Sequence, residues 1–127
     1  MRLLLDTHAF LWWLAGDRAL PEQVRDEIAK AQFVYVSAAS VWEIATKYRI
    51  GKLPGAAAIV GNLSRVIASE EFTELPIGIR HAEVAGLLPG PHRDPFDRML
   101  IAQATVDDLM LVSNEEIFDA YGAQRLW

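Results

Sequence analysis

Three short apolar runs, Leu3–Leu5, Phe33–Val36 and Leu109–Val112, constrain this chain more than anything else in it. Each is too short for a helix, and none alternates with polar residues, the pattern of parallel strands covered on both faces. The runs give way to Asp6-Thr7, Ser37 and Ser113-Asn114, and each is followed by a helical pattern. Strand followed by helix, repeated along a chain, is the signature of an α/β fold around a parallel sheet. A weaker fourth strand is expected at Phe72–Leu75, ahead of the breakers Pro76 and Gly78. At 127 residues the chain has room for one domain with a real hydrophobic core, and residues 1–127 are read as that single unit.

Helices are expected near residues 8–15, 21–31, 38–49, 56–69, 79–87, 96–106 and 115–120. In the third of these, Val41, Ile44, Ala45 and Tyr48 form an apolar stripe at helical spacing, with Gly51 as a natural stop. The segment Leu87-Leu88-Pro89-Gly90-Pro91-His92-Arg93 reads as a loop, after which Asp94-Pro95 opens a helix as N-cap and first helical residue. The alanine-rich stretch from Gly55 to Gly61 reads as helix rather than linker.

In an open parallel sheet, ligands bind beyond the carboxyl ends of the strands. The first strand ends at Asp6, and the second runs through Ser37 into a helix carrying Glu43 off the apolar stripe. The third leads to Ser113-Asn114-Glu115-Glu116, and Asp94 and Asp97 share the first turn of another helix. Each acid has a plainer reading: Asp6 and Asp94 as helix caps, Glu43 as partner of Lys47 or of a Ser40 capping box, and Asp97, Glu115 and Glu116 as complements to a helix dipole. Their coincidence at one sheet edge is what points to function. Gathered carboxylates repel unless a cation sits among them, and an all-oxygen donor set suits Mg2+ or Mn2+ rather than zinc. Such ions serve phosphoryl chemistry. The chain has no Cys, which removes thiol nucleophiles and Cys-ligated metals, and it carries no phosphate-binding glycine loop or zinc-protease motif. Its three histidines, His8, His81 and His92, are scattered, with His8 in a supporting or packing role.

The stretches Leu-Leu-Leu-Asp6-Thr7-His8-Ala-Phe-Leu-Trp, Val36-Ser37-Ala-Ala-Ser40-Val-Trp42-Glu43-Ile-Ala-Thr-Lys47 and His92-Arg93-Asp94-Pro95-Phe96-Asp97-Arg98-Met-Leu-Ile-Ala-Gln-Ala, with Leu-Val-Ser113-Asn114-Glu115 near the end, resemble PIN-domain ribonucleases, specifically the VapC type of toxin. The resemblance implies a three-layer α/β/α fold with a mostly parallel sheet of about four to five strands. It also implies a metal-dependent endoribonuclease neutralised by a cognate antitoxin. By position, Asp6, Glu43 and Asp97 match the family's acidic cluster, with Mg2+ or Mn2+ held mainly by Asp6 and Asp97. Glu115 stands where the family usually has an aspartate, and Asp94 belongs to a subgroup variant. Thr7, His8, Ser37, Asp94, Arg98, Ser113 and Asn114 are candidates for supporting or substrate contacts.

Phe10-Leu11-Trp12-Trp13-Leu14 puts five apolar residues in succession on a helix, so that helix must be apolar on more than one side. The resemblance implies a homodimer whose groove beside this helix takes the antitoxin's C-terminal segment, which makes Phe10, Trp12 and Trp13 candidate partner residues. Two other functions remain open on the sequence: an inactive PIN-like binding module, and a phosphatase or phosphoacceptor using Asp6, although that chemistry favours a second Asp where this chain has His8.

The apolar start stops at Asp6 after three leucines, and no run of apolar residues is long enough for a membrane span, so a cytoplasmic protein is expected. A formal charge of −5 argues against tight nonspecific nucleic-acid binding. Setting Asp6, Glu43, Asp97 and Glu115 aside leaves 13 acids facing 12 bases. The acidity is then largely that of the site.

Overall fold

Successive residues of a strand face opposite sides of the sheet, and the leucines of the first apolar run need cover on both. In the computed structural model, which describes residues 1–127, they find it. Leu3 and Leu5 join one buried cluster with Val34, Val36 and Val112, while Leu4 joins another with Leu75 and Leu111. The strands are β1 (Arg2–Leu5), β2 (Phe33–Ser37), β3 (Thr73–Leu75), β4 (Met110–Val112) and β5 (Arg125–Leu126). They form one sheet in the order β3-β2-β1-β4-β5, and every pairing is parallel.

Helices α1 (Thr7–Ala15), α2 (Glu22–Lys30) and α4 (Leu63–Ser69) cover the first face through Phe10, Val24, Ile28, Leu63 and Ile67, together with Ile44 of α3 (Ala38–Arg49). The other face is covered by Leu100, Ile101 and Ala104 of α6 (Pro95–Val106) and by Phe118, with α5 (Ile79–Leu87) packed on α6. This is the expected three-layer α/β/α arrangement. No helix is long and apolar enough to cross a membrane.

Local chemistry sets the helix starts. The Asp6 side chain accepts from Ala9 N–H, that of Ser37 from Ala39 N–H, and that of Asp94 from Phe96 and Asp97 N–H, with Pro95 in the first turn. Helix α1 stops at Gly16, whose φ of +64° suits the left-handed cap. At α5, His81 Nδ1 accepts from Gly78 N–H at 2.9 Å.

Some expectations need correction. The helix expected over 56–69 begins only at Leu63, because Gly61 takes φ +90° and Pro54–Ala56 form an isolated 3-10 turn. The helix expected over 115–120 is instead a 3-10 segment, Glu116–Tyr121. A fifth strand, only two residues long, lies at Arg125–Leu126, where no strand was located from the sequence. Phe10 is fully buried against the sheet and is core, not partner surface.

The strand order places the site. From β1 the sheet grows to β2 and β3 on one side and to β4 and β5 on the other. The crevice at such a reversal lies beyond the carboxyl ends of β1 and β4. Those ends carry Asp6 and Ser113.

Candidate active site

Asp6 is the residue after β1, and its own N–H donates to Val112 O at 3.0 Å, tying it to the end of β4. The residue is 4% exposed, and Oδ1 accepts from Ala9 N–H at 2.7 Å. Burial raises its pKa, against the Ser113 hydroxyl, the Ala9 N–H and the His8 charge, which favour the ionised form. The Glu115 charge pushes the same way as burial.

Asp97 lies in the first turn of α6. Burial is the main cause that raises its pKa to about 6, and the charges of Asp94 and Glu115 add to it. A bond to His92 works in the opposite direction. The charge of Glu115 thus acts on both Asp6 and Asp97. The Glu115 N–H donates to Ser113 Oγ at 3.0 Å, so Ser113, itself fully buried, orders both the Asp6 and the Glu115 sides.

Glu43 is buried, not open to a cleft. Thr7 Oγ1 donates to Glu43 Oε1 at 2.6 Å, and Lys47 Nζ donates to Oε2, so both oxygens are occupied. The plainer pairing with Lys47 is realised, whereas the Ser40 capping box is not, because Ser37 caps α3. Lys47 stays more strongly protonated chiefly through this bond, with the Asp94 and Asp97 charges adding to it. One lysine therefore links the Glu43 side of the site to the Asp97 side.

Other candidates fall outside this cluster. Ser37 caps α3 and donates to Gln103 Oε1, a buried structural bond. The Arg98 guanidinium donates to the carbonyls of Ala85 (3.2 Å), His92 (3.1 Å) and Leu88. Of the supporting and substrate roles expected for it, these bonds give it the supporting one: it clamps the loop between α5 and α6. Asn114 and His8 are exposed at the rim. Trp12 packs on Trp127 and on the His8 ring, and Trp13 Nε1–H donates to Glu70 Oε1 at 2.7 Å.

The contact that sequence reasoning missed is His92 Nε2 to Asp97 Oδ2, at 2.8 Å. The spacing of five residues across a Pro/Gly loop gives no periodic signal, though the adjacency of His92 to the Asp94-Pro95 start was visible.

No three Asp, Glu or His side chains form a ready-made metal cage. Mg2+ does not need one, because it keeps several waters and is commonly held by one or two carboxylates. The donor set fits that pattern: a buried and a half-buried carboxylate with raised pKa, and a third acid whose charge acts on both. Asp6 and Asp97 could hold such an ion, with Glu115 reaching it directly or through water.

A family model described as the PIN domain matches residues 3–124. The chain belongs to the PIN domain family. Solved structures with the same fold include a chain of VapBC2 from Rickettsia felis bound to a promoter DNA fragment, with 13% identity, a TM-score of 0.72 and coverage of 99% of this chain and 98% of that one. DNA-bound VapBC from Salmonella typhimurium matches with 18% identity and a TM-score of 0.70, covering 99% and 97%. A toxin–antitoxin complex from Klebsiella pneumoniae matches with 18% identity and a TM-score of 0.69, covering 98% and 96%. At these identities the likeness is one of fold. No curated protein matches the sequence. PIN domains are generally nucleases.

Proposed function

We propose that this PIN domain is a metal-dependent endoribonuclease and the toxin of a toxin–antitoxin pair. The observation that carries the reading is the pair of carboxylates, buried Asp6 and half-buried Asp97, each with raised pKa and both acted on by the charge of Glu115. Such an arrangement is unfavourable to the ionised protein alone and favourable around a divalent cation. The chemistry supplied by bound Mg2+ or Mn2+ is a water ionisable at neutral pH and a positive charge beside the scissile phosphate.

The chain's own groups do the rest. Asp6 and Asp97 would hold the ion, and Ser113 and the Ala9 N–H favour the ionised form of Asp6 against the larger effect of its burial. Thr7 fixes the orientation of Glu43, while Lys47 lies between Glu43 and the fields of Asp94 and Asp97. For Glu43 to orient or deprotonate the attacking water, one oxygen must exchange its bond to Lys47 for that water. An RNA phosphate drawing Lys47 away would free Glu43 for this role. Arg93, exposed beside Asp94, is a candidate phosphate contact at the rim.

The fold relatives are toxin–antitoxin complexes, which supports an antitoxin partner and a homodimer here. A cleft of about 470 Å3 lined by Leu11, Trp12, Leu14, Leu53 and Ile59, with His8 at its edge, is where we place the antitoxin segment. A cytoplasmic location accords with an RNA substrate.

The test is RNA cleavage by purified protein with Mg2+ or Mn2+, with EDTA, and with Asp6→Asn and Asp97→Asn. Either substitution is expected to lower cleavage more than about 100-fold, beyond the loss expected for an outer partner of a metal site, while the far-UV spectrum stays unchanged. Metal-dependent cleavage surviving Asp6→Asn would overturn the assignment. Metal binding without cleavage would select an inactive binding module, and a covalent phosphate on Asp6 would select a phosphatase.

A further inference from the structure

Asp97 is aimed by a loop, not by the sheet. Residues Leu88–Arg93 join α5 to α6 without regular structure, yet His92 within them is fixed at three points. Its N–H donates to Tyr121 Oη at 2.9 Å, its carbonyl accepts from Arg98 Nη1 at 3.1 Å, and its Nε2 lies 2.8 Å from Asp97 Oδ2. The Tyr121 contact depends on Gly90: a Cβ there would stand 2.6 Å from Tyr121 Oη, and Gly90 has φ +100°. A connecting loop needs none of this to reach from one helix to the next. What the three bonds secure is the place of one imidazole.

When Asp97 is ionised, Nε2–H donates to Oδ2, while Oδ1 accepts no bond from the protein. A carboxylate whose outer oxygen is bonded presents the other in one orientation, and partners that orient a ligating group commonly govern its affinity for metal.

We propose that His92 is the positioning residue of the site: by bonding Asp97 Oδ2 it fixes that carboxylate with Oδ1 free for the cation. Tyr121 and Arg98 act one step further out, holding His92 in place. The inference rests on the metal-dependent reading of Asp97, and the experiment separates the two.

Mn2+ binding to the metal-free full chain is titrated by electron paramagnetic resonance for wild type, His92→Ala, His92→Gln, Tyr121→Phe and Asp97→Asn. RNA cleavage is then measured across Mn2+ concentrations. Wild type and Asp97→Asn come first: if Asp97→Asn binds as wild type does, the site reading itself fails. If Asp97→Asn loses binding, His92→Ala is expected to bind Mn2+ roughly 10–100-fold more weakly. His92→Gln, which keeps an N–H donor, should recover most of the affinity, and Tyr121→Phe should show a smaller loss than His92→Ala. Raised Mn2+ should restore cleavage by His92→Ala, which a general loss of structure would not allow. Wild-type affinity in His92→Ala, with a circular dichroism spectrum that shows it folded, overturns the inference. So does tighter binding, which would make the ring a block. If His92→Ala does not fold, failure of His92→Gln to bind or cleave better than Asp97→Asn overturns it instead.

Discussion

Asp6, fully buried, and Asp97, half-buried, are both shifted toward protonation and both acted on by Glu115, but the molecule holds them by different means. Asp6 follows directly from β1. Its N–H is bonded to the end of β4, and its side chain caps α1, so its place is a consequence of forming the sheet. Asp97 sits on a helix whose first turn is tied to the irregular loop before it by His92 and Arg98. One acid is positioned by the fold and the other by a few side-chain bonds. The first therefore resists perturbation short of unfolding, whereas the second can be misplaced while the protein stays folded.

The strongest way to break this contrast is at Arg98, where truncation leaves three carbonyls without their charged donor. Arg98→Ala is expected to cost roughly 2–4 kcal/mol and to increase amide exchange across Leu88–Arg93, while exchange at the end of β1 changes least. Hydrogen exchange with mass spectrometry reads both regions at once. Equal loosening at Asp6 would show that the two acids share one support.

The second test is pH. The Asp97 pKa rises from 3.8 to about 6 on folding, so between these values the folded metal-free protein holds more proton than the unfolded chain. The contribution of Asp97 to stability is thus fully present below about pH 4 and is lost as pH rises through about 6, by at most about 3 kcal/mol. Urea titrations of metal-free protein should show that decline, and Asp97→Asn should flatten it. A stability that instead rises over this interval in wild type and not in Asp97→Asn would reverse the assigned direction.

The smallest effect is expected at Asp6. Asp6→Ala loses the cap on α1, a cost of about 1 kcal/mol, partly offset by removal of a buried charge. Asp6→Asn keeps a capping oxygen and should be at least as stable as wild type. Thermal melts of the two variants read the difference; Asp6→Asn melting below Asp6→Ala would mean that capping is not what Asp6 contributes to the fold.

The same division explains what the sequence disclosed. Leu3–Leu5, Phe33–Val36 and the run ending at Val112 announced their strands because burial on both faces leaves no room for polar residues. The acids beyond them could be placed at one sheet edge without coordinates. Capping chemistry at Asp94-Pro95 was equally plain, since the residues satisfy their own backbone neighbours. What could not be read were contacts without a period: the Thr7 bond to Glu43, the loop bond from His92 to Asp97, and the three carbonyls that make Arg98 a clamp. β5 escaped notice because two residues make no pattern, and Gly61 ended the supposed long helix because its alanine-rich surroundings say nothing about φ. Five apolar residues on α1 did show that more than one side of the helix is covered. They did not reveal that Phe10 belongs to the sheet while Trp12 and Trp13 are wrapped by Trp127, Phe72 and Glu70.

The sheet's borders carry a consequence for assembly. Its outer strands, β3 and β5, are three and two residues long, so little unpaired backbone is offered to another strand. Short edges are one way that sheet proteins avoid sticking to one another. A second chain that engages this molecule has helices and their grooves to read, and must select it by side chains rather than by extending its sheet.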